Sequence, residues 1–448
     1  MAGSRRRRQL QRQRARAAAL RDLPPKPKPE RVSIVERLPP ELLAEIHRRL
    51  DLFRDRIAFA FVCGPSRGHL FTPEPPWLLL PTKTDTDEQA AILSLANGAA
   101  ADVDTPAPAM RDYVVVGSSG GWLVTADAEG ALRVVNPLTG AQAELPAITT
   151  CALFFDAFRI DSDAFFDLRY GGSPPPGVKW GRSFTLAAAQ MRQWFYRKVV
   201  LAAAPRPGGY AAMLLLDAHF GVPAFTSAAD PVWRMAASYD GVEDAVHHDG
   251  RFYSITYAGD VEAWHRDAGT GEFASAAAAP RLAVDADAGK GHRKYLAAAP
   301  DGRLMAVIKH SREVTDLYYD DYGFLRKARE RQVTRVFFEV RVLDMARRRW
   351  EDSADAIGDA AVFVGVNASV CVPAAEHRGV RAGCVYYTDD EVGKASLRRR
   401  ETYSDGGKYF DELPYIGVYS LKDGTAERIQ GLADHPCWPP AAWFTPSV

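Results

Sequence analysis

Asp249-Gly250-Arg251-Phe252-Tyr253 and, 52 residues later, Asp301-Gly302-Arg303-Leu304-Met305 share one form: Asp-Gly, one basic residue, then apolar residues. Asp-Gly favours a tight turn, because glycine takes positive φ without steric cost, and the run that follows suits a strand. Asn136-Pro137-Leu138-Thr139-Gly140 and Lys422-Asp423-Gly424 read as related hairpin turns. Between such turns lie short β-branched and aromatic runs at 113–116, 122–125, 132–135, 213–216, 251–256, 304–308, 337–342, 384–387 and 416–420. Units of about 40–50 residues made of short antiparallel strands are what a β-propeller blade requires, since closing the ring removes exposed sheet edges. No helical run of crossover length recurs between the strands, which argues against a doubly wound sheet. A large β-sandwich, or two of them, is the alternative arrangement of the same strands.

A different texture precedes this body. In residues 38–67, LPPELLAEIHRRLDLFRDRIAFAFVCGPSR, Pro39 and Pro40 suit a helix's first turn, where a missing N–H costs nothing. Leu42, Leu43, Ile46 and Leu50 form an apolar stripe, and Glu41, Glu45, Arg48 and Arg49 fill the wet face. Acids come early and bases late, as the helix dipole prefers. Asp55 is placed to cap a second helix, apolar nearly all round through Ile57, Ala58, Phe59, Phe61, Val62 and Cys63, and Gly64-Pro65 stops it. Two short helices with more apolar surface than they can bury imply a partner.

These residues resemble an F-box. Leu38, Pro39, Glu41, Leu42, Leu43, Ile46, Arg49 and Leu50 match its opening at family spacing, and Val62, Cys63 and Arg67 match its close. The close departs at Ser66, where the family usually has Trp, and at Pro65, which shortens the helix. Residues 76–447 are in turn similar to the plant KIB-type propeller that commonly follows an F-box. The landmarks in order are Pro76-Trp77-Leu78, Gly117-Ser118-Ser119 with Gly121-Trp122-Leu123, Asn136 to Gly140, Gly250 to Tyr253 and Leu304 to Val307. They continue through Val340 to Asp344 with Trp350, Ala361 to Gly365, Val385 to Asp390, and Trp443 to Ser447.

The two resemblances imply a mostly β chain. A basic arm (1–31) leads an all-α F-box-like module (32–70), a linker with the first strand region (71–112) and the propeller (113–448). They imply the substrate receptor of a cullin-RING ubiquitin ligase of SCF type. A Skp-type adaptor, and through it a cullin, would dock on Leu38, Pro39, Leu42, Leu43, Ile46, Leu50, Phe59, Val62 and Cys63, while the propeller held a protein substrate. No catalytic residue, metal or cofactor is then needed, because transfer chemistry belongs to other subunits. Some KIB-type proteins resemble regulators of GSK-type kinases, so the alternative is a binding scaffold or kinase-regulating propeller that has lost adaptor contact.

Charge separates arm from body. Residues 1–31 hold 11 Lys+Arg against 2 acids, which leaves 45 against 54, net −9, in a chain of net zero. The body is therefore no nucleic-acid binder by charge. Arg5, Arg6, Arg7 and Arg8, ahead of an extended Pro-rich spacer at 24–29, read either as a nuclear localisation signal or as a solvated tail. Five cysteines without a C-x-x-C pair suggest reduced thiols, and no run of 18 apolar residues suggests a membrane span, so a nuclear or cytoplasmic location is expected. Residues 82–110, rich in Ala, Asp and Thr with little periodicity, read as a long surface connection, and the insert around 316–331 as a loop or extended hairpin.

Several stretches imitate chemistry. Gly117-Ser118-Ser119-Gly120-Gly121 satisfies G-x-S-x-G, but a nucleophile elbow needs a helix next, and Trp122-Leu123-Val124-Thr125 reads as a strand. His247-His248-Asp249 lacks a third ligand at a usable spacing. Gly289-Lys290-Gly291-His292-Arg293-Lys294 lacks the P-loop frame. Asp320-Asp321, beside Tyr318, Tyr319 and Tyr322, reads as solvated surface, and Trp180, Trp194, Trp233 and Trp264 as packing between blades.

Overall fold

The computed structural model describes residues 38–50, 53–64, 71, 74–80, 90–103, 113–161, 163–169, 183–202, 211–217, 220–267, 269–284, 291–299, 301–311, 317–319, 325–327, 336–352, 357–390, 392, 415–432 and 439–446. Two compact units divide the chain, Met1–Phe71 and Thr72–Val448.

The first unit is a helix pair, α1 (Pro40–Arg49) and α2 (Phe53–Cys63). Pro39 takes the N-cap position, and its carbonyl accepts from the N–H groups of Leu42 and Leu43 at 3.1 and 3.2 Å. Glu45 pairs with Arg48 and Arg49 at 2.8 and 2.6 Å on the exposed face, where solvent leaves such pairs little net worth. The expected cap at Asp55 is corrected: α2 begins two residues earlier, so Asp55 meets the dipole from within the first turn. Gly64, at φ 81°, turns the chain out of the helix after Cys63. Leu43, Ala60, Cys63 and Phe71 form the interior, with Leu38 and Phe59 packed alongside and the His47 ring stacked on Phe71 at 4.5 Å.

The second unit is a β-propeller whose described residues build six blades. Strands β1 (Trp77–Leu80), β2 (Ala90–Leu93) and β3 (Ala100–Val103) begin blade 1. Blade 2 is β4 (Val114–Ser119), β5 (Trp122–Ala126), β6 (Leu132–Val135) and β7 (Gln142–Glu144). A separate three-stranded sheet follows, β8 (Phe154–Ile160), β9 (Asp163–Arg169) and β10 (Ser183–Ala187), then a short helix α3 (Ala188–Trp194). Blade 3 is β11 (Tyr196–Leu201), β12 (Ala211–Leu216), β13 (Ala224–Ser227) and β14 (Asp230–Met235). Blade 4 is β15 (Val242–His248), β16 (Arg251–Thr256), β17 (Val261–Arg266) and β18 (Phe273–Ala279).

Blade 5 is β19 (Gly291–Ala298), β20 (Leu304–Ser311), β23 (Val336–Asp344) and β24 (Arg349–Asp352), interrupted by a hairpin of β21 (Leu317–Tyr319) and β22 (Leu325–Lys327). Blade 6 has five strands in the order β26-β25-β27-β28-β29, from β25 (Ala360–Val364), β26 (Val370–Pro373), β27 (Cys384–Tyr387), β28 (Gly417–Ser420) and β29 (Thr425–Arg428). Finally β30 (Ala442–Phe444) returns to blade 1 and pairs antiparallel with β1, Leu78 opposite Trp443, so the last described strand closes the ring.

Both Asp-Gly stretches are the hairpin turns they were read to be, β15–β16 and β19–β20 in consecutive blades. At the first, Asp249 and Gly250 both hold positive φ, 47° and 76°, the twist that suits a two-residue hairpin. Residues 82–110 are corrected: rather than only a surface connection, they supply β2 and β3 of blade 1, and 90–93 are wholly buried. Their Ala-rich letters hide the strand because small side chains carry little periodic signal.

The core is distributed between blades, as stacked sheets demand. Apolar clusters join blades 2 and 3, 3 and 4, 4 and 5, 5 and 6, and 6 and 1. Trp233 is 2% exposed and its indole N–H donates to the Pro146 carbonyl across the first of these, at 2.9 Å. Trp264 packs on Phe225 at 5.0 Å across the second. Trp180 lies outside the described residues.

Gly117 shows how closely inner strands approach: a Cβ there would sit 2.1 Å from the Val199 carbonyl oxygen of β11. Backbone cannot yield as a side-chain tip can. Gly117→Ala is therefore expected to cost roughly 1–3 kcal/mol by overpacking, read as a lowered chemical-denaturation midpoint; an unchanged midpoint would refute the contact.

Candidate functional site

In the helix pair, the residues expected to dock a partner divide by burial. Leu42, Ile46 and Val62 are exposed, at 50%, 36% and 64%. Leu42 and Ile46 stand one turn apart on α1 and so share a face. Pro39 is exposed and Leu50 half-buried. Leu43 and Cys63, at 0% and 9%, are interior, and Leu38 and Phe59 are partly so. In this pair Leu43 and Cys63 hold the helices together, leaving Leu42, Ile46 and Val62 free to make contact. Arg5 to Arg8, and Pro65 to Arg67, lie outside the described residues.

A second constellation, which the sequence reading passed over, lies on the propeller axis. Four same-sign dipeptides alternate around consecutive blades: Arg197-Lys198 on β11, Glu243-Asp244 on β15, Arg293-Lys294 on β19, and Asp389-Asp390 just after β27. They interlock across every boundary. Lys198 Nζ meets Asp244 Oδ1 at 2.5 Å with both side chains fully buried. Lys294 Nζ meets Glu243 Oε2 at 2.5 Å, and Arg293 Nε donates to Asp390 Oδ2 at 2.6 Å. Asp244 Oδ2 also accepts from the Leu296 N–H at 2.8 Å, so one carboxylate ties three blades.

Backbone irregularity makes this possible. Register shifts fall between Tyr196 and Lys198 on β11, and between Val242 and Asp244 on β15, so Arg197 and Glu243 are bulged residues. A bulge re-aims a side chain that strict alternation would send to the opposite face. Burial pushes the Asp244 and Glu243 carboxyls above the usual carboxylate range, with Lys198 and Lys294 pulling back.

The stretches that imitate chemistry resolve into structure. Ser118 Oγ donates to the Trp443 carbonyl at 2.5 Å, and a strand, β5, follows Gly121. His248 Nε2 lies 2.8 Å from the Gly302 carbonyl oxygen of the next blade's hairpin. His292, Arg293 and Lys294 stand on β19 rather than in a loop. Among the described residues no group of three or more His, Cys, Asp and Glu is placed to hold a metal. Asp320 and Asp321 lie outside the described residues.

A family model for the KIB1-4 beta-propeller matches residues 92–420, most of the ring just described. The chain belongs to the KIB1-4 beta-propeller family. No curated protein matches it. Among solved structures, one titled "YCF48 bound to D1 peptide" is 9% identical, covering 64% of this chain and 84% of that one at a TM-score of 0.26. A protein from Lactobacillus plantarum is 11% identical, covering 62% and 95% at 0.25. At these scores neither carries weight. In this KIB1-4 propeller the axial charges stand on blades 3 to 6, within or beside the inner strands, and the matched region contains all of them.

Proposed function

We propose that this KIB1-4 propeller is the substrate receptor of a cullin-RING ubiquitin ligase of SCF type. The α1–α2 pair docks on a Skp-type adaptor, and the propeller holds a protein substrate. The observation that carries it is the pair's division of labour: Leu43 locked inside while Leu42 and Ile46 stand exposed one turn apart. Exposed apolar side chains on a preorganised helix are the anchors an interface gains from. The receptor contributes by tethering, which raises the substrate's effective concentration, and ubiquitin transfer takes place on other subunits. Arg5 to Arg8 would direct the protein to the nucleus.

One observation favours the runner-up, a propeller scaffold or kinase regulator without adaptor contact. Helix α2 ends at Cys63 and the chain turns at Gly64, ahead of the position where an F-box carries its closing Trp.

Titration of the full-length protein with a purified Skp-type adaptor decides between them. Leu42→Asp with Ile46→Asp is expected to weaken binding by about a hundredfold, roughly 2.7 kcal/mol, with the β-rich circular dichroism unchanged. Absence of binding by the wild-type chain would sink the ligase reading and leave the scaffold.

A further inference from the structure

Three of the four axial cations have carboxylate partners. The fourth, Arg197, makes no ion pair among the described residues; its Nε donates to the Glu243 carbonyl at 3.2 Å, and its guanidinium lies 5.5 Å from the centre of the Tyr257 ring. The Tyr257 hydroxyl is buried and likewise has no hydrogen-bond partner. The Tyr257 hydroxyl and the Arg197 guanidinium, whose Nε is spent on the Glu243 carbonyl, are therefore held near each other with no carboxylate acceptor among the described residues. Neither is there by chance of a flexible side chain. Arg197 is the bulged residue of β11, and the Tyr257 ring is packed where a Cβ on Gly241 would stand only 3.2 Å away.

We infer that this end of the axis takes a carboxylate side chain, a Glu or Asp of the protein the propeller binds, on the Arg197 guanidinium and the Tyr257 hydroxyl. A guanidinium offers paired donors that match a carboxylate's two oxygens. The surroundings choose the charge of the guest. Burial works against the Arg197 cation, yet Tyr257, Asp390, Glu243 and Asp217 together raise its pKa above the ordinary value. The same carboxylates repel an incoming anion in proportion to its charge, so a carboxylate is favoured over a phosphate dianion.

The inference rests on the propeller being the partner-binding part, and its test is independent of adaptor docking. The full-length protein is titrated with the peptide acetyl-Gly-Ala-Glu-Ala-Gly-amide, with its Gln counterpart and with inorganic phosphate, by saturation-transfer NMR. Salt is held at roughly 0.3 M, where non-specific attraction to the Arg-rich sequence at 5–8 is largely screened. The Glu peptide is expected to saturate, the Gln peptide to bind about tenfold or more weakly, and phosphate not to compete. Arg197→Gln should lose about tenfold in Glu-peptide affinity, and Tyr257→Phe about threefold with its ring packing kept. Because Arg197 also braces the Glu243 backbone, Tyr257→Phe is the decisive variant if Arg197→Gln fails to fold. No saturation by the Glu peptide, equal affinity in wild type and Tyr257→Phe, or tighter binding of phosphate would overturn the assignment. Adaptor binding measured on the same samples reports separately on the ligase reading.

Discussion

Replacing Lys198 by Met is expected to cost about 3–5 kcal/mol of stability, because it strands a fully buried carboxylate while barely changing volume. Among the described residues Asp244 has no other cation in contact; its remaining bonds come from the N–H groups of Leu296 and Ala245. The pH dependence supplies the sign. In the wild type, burial raises the Asp244 pKa and Lys198 draws it down. Without Lys198 the folded-state pKa climbs further above the unfolded value. The folded variant then holds a proton that the unfolded chain releases, so folding weakens as pH rises between the two values. The gap from wild type should widen by up to about 1.4 kcal/mol per pH unit in that window and close below it.

Lys198→Met with Asp244→Asn should recover most of the loss, since an Asn carbonyl still accepts from Leu296 and no charge is left buried. Denaturation midpoints of the three proteins at pH 4.5 and pH 8 provide the check. A Lys198→Met deficit that is small, or equal at both pH values, would mean that the pair is not buried as described.

The axial zipper also shows where the sequence was readable. Turn chemistry was legible because Asp249-Gly250 and Asp301-Gly302 state their backbone requirement in the letters. The blade count was not. Between β4 and β11 the repeat is stretched by the sheet β8–β10 and α3, blade 5 is split by the β21–β22 hairpin, and blade 6 carries a fifth strand. Blade 1 is assembled from both ends of the unit, so no local window contains it.

The charged dipeptides were visible as letters at 197, 243 and 293, with a spacing close to the blade repeat. Reading them as a set needs two things that strand periodicity denies: bulges that put neighbouring charges on one side, and partners 46, 51 and 97 residues away. Arg293-Lys294 follows glycines whose letters suggest a basic loop, whereas both residues belong to strand β19. In the helix pair the family letters marked the docking residues as a group. They could not show that Leu43 and Cys63 face inward while Leu42, Ile46 and Val62 face out, since a stripe wide enough to bury a helix also contains its contact surface.

Ring closure sets the other large effect. A chain ending at residue 438 lacks β30, and with it Trp443 and Phe444, each 1% exposed, and Ala442 at 0%. Trp443 is the keystone of that strand. It lies edge-on to Phe363 at 4.9 Å and to Tyr386 at 5.9 Å in blade 6, its carbonyl accepts from Ser118 in blade 2, and it pairs with Leu78 in blade 1. Losing one such aromatic costs about 3–5 kcal/mol, and the two together approach or exceed the 5–15 kcal/mol that holds a typical domain folded. The truncation also bares the edge of β1, whose four residues are all buried in the intact ring, and an apolar open edge pairs with other chains.

The truncated protein is therefore expected to aggregate or to melt without a cooperative transition. Trp443→Ala, which keeps the backbone ladder, should stay folded with its loss confined to the single-aromatic range. That contrast separates closure from packing. If the truncated chain melted cooperatively within a few degrees of the intact protein, β30 would be decoration, and the ring would be held by its inter-blade cores.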